Sequence, residues 1–154
     1  MDFQIVERPG FKIMGIDVWT INRNGIAGSD IYNLWQRWFQ ENVPDRIPGK
    51  TSEDVYNLYC DYESDANGRY RVIIGNPVKS IDHVPEGLTG KKIPKSSYAV
   101  YRLSGKLPYV VLETWNHIYQ EKRYERKYLA DFDIYDMKAY EPHNAVVEVN
   151  VSIK

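Results

Sequence analysis

An α+β fold is what this chain predicts: two β-α-β-β units forming a mostly antiparallel sheet, two helices on one face, and a central ligand cleft. Three features point there. Several segments alternate side-chain character with period two, the signature of strands with two unlike faces. Two segments carry apolar residues at helical spacing instead. The order strand, helix, strand hairpin occurs twice, over roughly 11–79 and again over 98–153, as a repeat of pattern rather than of residues.

The strands are predicted at 3–8, 11–21, 55–63, 70–79, 98–104, 128–136 and 145–153. In 14-MGIDVWTI-21, Met14, Ile16 and Val18 oppose Asp17 and Trp19. In 55-VYNLYCDYE-63, Leu58 and Cys60 oppose Asn57, Tyr59 and Asp61. In 131-DFDIYD-136, Phe132 and Ile134 oppose Asp133 and Tyr135. In 146-VVEVNVSI-153, Val147, Val149, Val151 and Ile153 oppose Glu148 and Asn150. The link 64-SDANG-68 is a hairpin signal, because Asn-Gly tolerates positive φ. Positions 137–144, with Pro142 and Asn144, form a second hairpin loop. Segment 80–97, rich in Gly, Pro, Lys and Ser, reads as an exposed connection.

The first helix has Ile31, Leu34, Trp35, Trp38 and Phe39 on one stripe, with Ser29 or Asp30 as its cap and Pro44 as its stop. The second runs from about Pro108 to Gln120 with the stripe Leu112, Trp115, Ile118 and Tyr119. These stripes place Trp35, Trp38 and Trp115 in the core. The same pattern predicts Phe132, Ile134 and Val147, Val149 and Val151 buried beneath the second helix.

With 154 residues, the chain suits a single domain, 1–154, whose pseudo-repeats span roughly 1–79 and 98–154. A net charge of −1 gives no electrostatic footprint for direct nucleic-acid contact or for anionic membranes. No apolar run approaches a membrane span and no signal pattern opens the chain, so it reads as cytoplasmic. Cys60 is the only cysteine and sits in an apolar alternation, a core position. His83, His117 and His143 are isolated, so no metal site is expected, and no phosphate-binding glycine loop implies a cofactor.

The polar strand faces mix carboxylates with large rings and hold almost no lysine. Rings with half-buried carboxylates are what a pocket for an organic cation needs. Asp133, Glu148, Tyr59, Trp19, Tyr135 and Asn150 are the candidate ligand-binding residues, with Asp17 beside them, all placed around one cleft. A buried Asp133 must meet something positive or hydrogen-bonding. A ligand cation is one choice; Arg71, Arg102 or a tyrosine hydroxyl is the other.

Four stretches carry a resemblance. 55-VYNLYCDYESDANGRYRVIIGNPV-78 resembles the first-half hairpin of GyrI-like (gyrase-inhibitor-like) effector-binding domains, the ligand-sensing part of many AraC-type and multidrug-sensing MerR-type regulators. 98-YAVYRLSG-105 resembles their second opening strand, 115-WNHIY-119 with 128-YLADFDIYD-136 their second helix and following strand, and 145-AVVEVNVSIK-154 their closing strand. The resemblance implies a duplicated α+β module that binds hydrophobic organic cations. It implies a counter-charge at Asp133, where family members usually carry glutamate. Glu148-Val149-Asn150 lacks the tyrosine that often closes the motif. No helix-turn-helix segment is recognised, so a stand-alone monomer or weak dimer is expected, a sensor or co-regulator working with a separate DNA-binding protein. The resemblance also leaves open an alternative, a small hydrolase of reactive xenobiotics, which the shorter Asp133 side chain disfavours.

Overall fold

The structure, a computed structural model, describes residues 1–137 and 141–154. Eight strands form one continuous antiparallel sheet: β1 (Gln4–Arg8), β2 (Phe11–Ile21), β3 (Val55–Cys60), β4 (Arg69–Pro77), β5 (Thr89–Ile93), β6 (Ser96–Gly105), β7 (Ala130–Tyr135) and β8 (Ala145–Ile153). Their order across the sheet is β1-β6-β8-β7-β3-β4-β2-β5. Helix α1 (Ile26–Gln40) and the short α2 (Val43–Arg46) lie between β2 and β3 in sequence, and α3 (Tyr109–Gln120) lies between β6 and β7. None of the described helices is long and apolar enough to cross a membrane.

The duplicated units are visible in the pairing. In the first, β2 pairs with β4 and β4 with β3; in the second, β6 pairs with β8 and β8 with β7. The halves join where β3 pairs antiparallel with β7. Leu34 and Trp38 of α1 are buried with Met14, Ile16, Val72 and Ile74. Val111 and Ile118 of α3 are buried with Tyr101, Val147, Val149 and Val151. Each helix thus covers the outer strands of its own half.

The opposite face has its own core, in which Ile13, Leu58, Ile73 and Ile93 meet Tyr98, Val100 and Phe132. This requires a curled sheet, and chain connectivity enforces the curl. Only Pro94 and Lys95 separate β5, at one edge, from β6, one strand in from the other edge. In a flat sheet at ~4.8 Å per strand those two would stand roughly 29 Å apart. Three residue steps span at most about 11 Å. The sheet therefore bends until its two ends approach each other where β5 hands over to β6.

Several sequence-based expectations need correction. β5 lies within the segment read as an exposed connection. It is an edge strand pairing only with β2, and in TGKKI only Ile93 is buried, so no apolar alternation marks it. Helix α1 starts at Ile26 behind Gly25, whose φ is +75°, and not at Ser29 or Asp30. Asp30 instead accepts a 2.8 Å hydrogen bond from Thr20 Oγ1. Pro44 opens α2; α1 has already ended at Gln40. Phe39 is exposed. Phe132 and Ile134 pack on the face away from α3, since Phe132 is paired with Asn150 and Ile134 with Glu148. Cys60 and Trp38 are buried as expected, and burial pushes the Cys60 thiol up to about 12. Of the hairpin loop predicted over 137–144, residues 138–140 lie outside the described residues.

Gly15 of β2 faces Gly75 of β4 across the ladder. A Cβ on Gly15 would stand 2.6 Å from the Gly75 Cα and closer still to the Ile74 carbonyl oxygen, both backbone atoms that cannot rotate away. Gly15→Ala is expected to lower stability by about 2–3 kcal/mol in urea unfolding. A change under half a kcal/mol would show that this close approach is relaxed in solution.

Candidate functional site

The two helices cover the outer strands and leave the β3–β7 seam beneath a gap. That gap is a cavity of about 440 Å³. Ile31, Tyr32 and Trp35 of α1 form one wall, and Val111, Leu112, Trp115 and Tyr119 of α3 the other. Asn57, Tyr59, Tyr70 and Tyr135 rise from the sheet, with Tyr62 just past β3 and Arg126 at one side. The rings brace one another: Trp35 meets Tyr135 edge-on at 5.3 Å, Tyr59 meets Trp115 edge-on at 5.3 Å, and Tyr62 stacks on Tyr70 at 5.6 Å. Such contacts fix ring orientation and leave ring faces to the cavity.

Two carboxylates lie under this seam, both fully buried, and their surroundings differ. Asp131 is saturated. It accepts from Tyr62 Oη at 2.6 Å, Arg126 Nη2 at 2.8 Å, and the Ser152 backbone N–H and Oγ at 2.7 and 3.1 Å. Asp133 accepts from neutral donors: Tyr59 Oη at 2.8 Å and Trp115 Nε1 at 3.0 Å. Among the described residues no Lys, Arg or His forms an ion pair with it. Burial pushes its carboxyl up to about 7; the Tyr59 and Trp115 hydrogen bonds hold it down, and the nearby Asp131 pushes it further up. Burial and the Asp133 charge push the Tyr59 phenol well above its ordinary value, so Tyr59 keeps its proton and donates it.

Of the six sequence candidates, Tyr59 and Tyr135 line the cavity. Asp133 lies just under it, hydrogen-bonded to the lining residues Tyr59 and Trp115. Trp19, Glu148 and Asn150 are not brought there. The register pairs Asp133 with Val149, so Asp133 shares a face with the odd-numbered valines while Glu148 and Asn150 point the other way. Glu148 is bridged by Arg8 and by Arg102 at 3.2 Å, and Asn150 accepts from Arg8 Nε at 2.9 Å. Trp19 is 44% exposed with the Arg69 guanidinium over its ring at 5.5 Å. Asp17 pairs with Arg71 at 2.7 Å, also on that other face. Arg71 and Arg102 are therefore engaged elsewhere, and a tyrosine hydroxyl, that of Tyr59, meets Asp133 inside the protein.

The walls were largely hidden in the sequence. Trp35 and Trp115 sit on helix stripes and pack against the cores as the stripes predict, and they also line the cavity over the seam. Leu112 and Tyr119, expected buried, are 56% and 53% exposed at the same opening. Val111 and Thr114 take the core positions instead. Tyr62, Tyr70 and Arg126 carried no site signal beyond the high tyrosine count.

Comparison with known proteins agrees with this architecture. The family model described as Cass2, integron-associated effector binding protein, matches residues 4–153. YobU of Bacillus subtilis (strain 168), provisionally named a transcriptional regulator, is 33% identical over 124 residues, covering 79% of this chain and 78% of YobU. The integron cassette protein VCH_CASS2 from the mobile metagenome of Vibrio cholerae superposes with a TM-score of 0.79 at 26% identity, over 99% of this chain and 95% of that one. SAV2435, solved bound to tetraphenylphosphonium, superposes with a TM-score of 0.78 at 19% identity, over 100% of this chain and 94% of that one, and so shares the fold. The eight-stranded antiparallel sheet, the two helices over one face and the match along nearly the whole chain lead to one conclusion: the chain belongs to the Cass2 family of integron-associated effector binding proteins, built on the GyrI-like effector-binding fold.

Proposed function

We propose that this effector-binding domain captures a hydrophobic organic cation in the seam cavity, with Asp133 as counter-charge, and acts as a sensor or co-regulator in transcription or drug response. One observation carries the reading: a fully buried carboxyl held only by neutral donors lies directly beneath a cavity walled by aromatic rings. Charge buried away from water acts strongly on a nearby opposite charge. Each ring face adds about 0.5–2 kcal/mol for a desolvated cation. The tetraphenylphosphonium held by SAV2435 is a cation of this type, which supports the reading. The kinship with YobU supports a regulatory setting.

Methyltriphenylphosphonium should bind with roughly micromolar affinity, about −8 kcal/mol, and the neutral, similarly shaped triphenylphosphine oxide more weakly. Asp133→Asn, nearly isosteric, should cost the cation about 1.5–3 kcal/mol and the neutral compound little. Isothermal calorimetry measures both. Equal affinities for cation and neutral analogue in the wild type would remove Asp133 from the role of counter-charge.

The same carboxyl predicts two pH dependences. Methyltriphenylphosphonium cannot titrate, so its affinity should rise as pH climbs through about 7 and Asp133 ionises, and should stay flat in Asp133→Asn. Stability of the unliganded protein should move the other way. The unfolded chain releases this proton near 3.8 and the folded chain holds it to about 7, so between those values the folded state binds more protons. Stability then falls as pH rises across that window, by an amount on the order of 4 kcal/mol when complete. Asp133→Asn should melt higher than wild type at pH 8, and the gap should narrow steadily as pH falls toward 3.8. A gap independent of pH would show that Asp133 does not titrate in this window.

A further inference from the structure

The charges around the seam cavity are arranged one-sidedly. Among the described residues that line it, Arg126 is the one that carries a charge; the others are neutral. Of the two carboxylates beneath the seam, Asp131 is compensated by Arg126 at 2.8 Å, while Asp133 is met by neutral donors. The two members of the Asp131–Arg126 pair are not equivalent toward the cavity. Asp131 is fully buried and is absent from the lining, whereas Arg126 belongs to the wall. A ligand in the cavity therefore stands on the positive side of that pair.

Arg126 is held in this place. Its Nη2 donates to Asp131, its guanidinium lies over Tyr128 at 4.4 Å, Trp115 at 5.6 Å and Tyr119 at 6.0 Å, and its backbone bridges to Ile153 of β8. A guanidinium keeps its charge at any working pH. Trp115 sets the distance between this cation and Asp133, because its indole N–H donates to Asp133 at 3.0 Å while its ring carries the guanidinium. Charges separated by one indole and shielded from water act strongly on whatever lies beside them. Ala66, Tyr119 and Arg126 also border a polar depression. Its two glutamates are already bridged, Glu121 by Arg123 at 2.7 Å and Glu125 by Lys154 at 2.9 Å, and Lys127 adds a further cation. Among the described residues, the Arg126 end therefore offers a ligand no second uncompensated carboxylate.

We propose that the site is bipolar and takes lipophilic monocations in preference to dications: Asp133 holds one positive charge, and Arg126 is the specificity-determining residue that turns away a second. This rests on the cation-capture reading and narrows it to ligands of single positive charge. Once the ligand has neutralised Asp133, the remaining field in the cavity is that of the Asp131–Arg126 pair seen from its positive side. An apolar or acidic tail fits that end, and an ammonium tail is repelled.

Three phosphonium salts that differ only at the tip of one chain test it against the full chain by calorimetry at pH 8. They are pentyltriphenylphosphonium, (4-aminobutyl)triphenylphosphonium, with an ammonium in place of the terminal methyl, and (4-carboxybutyl)triphenylphosphonium, with a carboxylate there. Wild type should bind the ammonium probe roughly tenfold more weakly than either of the others. Repulsion inside the ligand contributes to the same difference, so two variants isolate Arg126. Arg126→Gln/Asp131→Asn removes both members of the buried pair, a change that folded proteins tolerate better than loss of one member. It should keep the pentyl affinity and shrink the gap between ammonium and carboxylate probes by about threefold or more. Arg126→Gln alone leaves Asp131 uncompensated and should reverse the gap, so that the ammonium probe binds more tightly than the carboxylate probe. A wild type that binds the ammonium probe as tightly as the other two would overturn the proposal and leave cation capture standing. A gap unchanged in either variant would overturn it as well, tracing the preference to the ligand. Binding of none of the three, with methyltriphenylphosphonium also rejected, would overturn cation capture and this inference together. The wild-type comparison needs no variant to fold.

Discussion

The antiparallel pairing of β3 with β7 joins the two halves, and the site depends on it. Each half is a strand, a helix and a hairpin, and each helix needs apolar strands beneath it. Those are the outer ones, β2 and β4 for α1 and β6 and β8 for α3. The inner strands β3 and β7 pair with each other, and each helix packs most closely on the outer strands of its own half. A gap stands at the seam between the two helices, where Tyr59 and Tyr135 pack at the edge of the helix-covered cores and, with Asn57, line the cavity above Asp133. Ring-rich helix edges then close the gap from both sides. Concave sites occur preferentially at such interfaces between units.

Two aspartates two residues apart on β7 show how local surroundings divide labour between identical side chains. Asp131 meets a guanidinium, a phenol and the Ser152 amide and hydroxyl, so its charge is compensated and it ties Arg126 and β8 to the seam. Among the described residues, Asp133 has neutral partners: a phenol, an indole N–H and the nearby Asn57 amide. Neutral donors reduce the cost of burying a carboxylate without cancelling its charge. The result is a group poised near neutral pH, with unspent negative potential facing an apolar cavity.

The opposite face does different work with similar residue types. Arg8, Arg102 and Glu148 form one cluster there, and Asp17, Asp61, Arg71 and Lys91 another. These charges are paired and half-exposed, so each pair stabilises only modestly. Between them the apolar set around Phe132 fills the concavity that the short β5–β6 link imposes. With that face packed, the cavity lies on the helix side.

The sequence by itself determined the strands with period-two alternation, both long helices and the duplicated order, because these are local periodicities of one chain segment. The resemblance then pointed to Asp133. Register was not local. Alternation shows that Glu148 and Val149 face opposite ways, but only the β7–β8 pairing decides that Asp133 sides with Val149. Grouping polar faces together put Glu148, Asn150 and Trp19 in the cleft, and the register took them out. Trp35 and Trp115 do both jobs: each packs against the core of its own half and also lines the cavity, a division that a helix stripe alone does not reveal. That Asn57 and Arg126 line the cavity, each with one buried polar atom unpartnered among the described residues, emerges only from tertiary contacts. An unmatched hydrogen-bonding atom is a property of what surrounds a residue, and no reading of the residue in its own strand can reveal it.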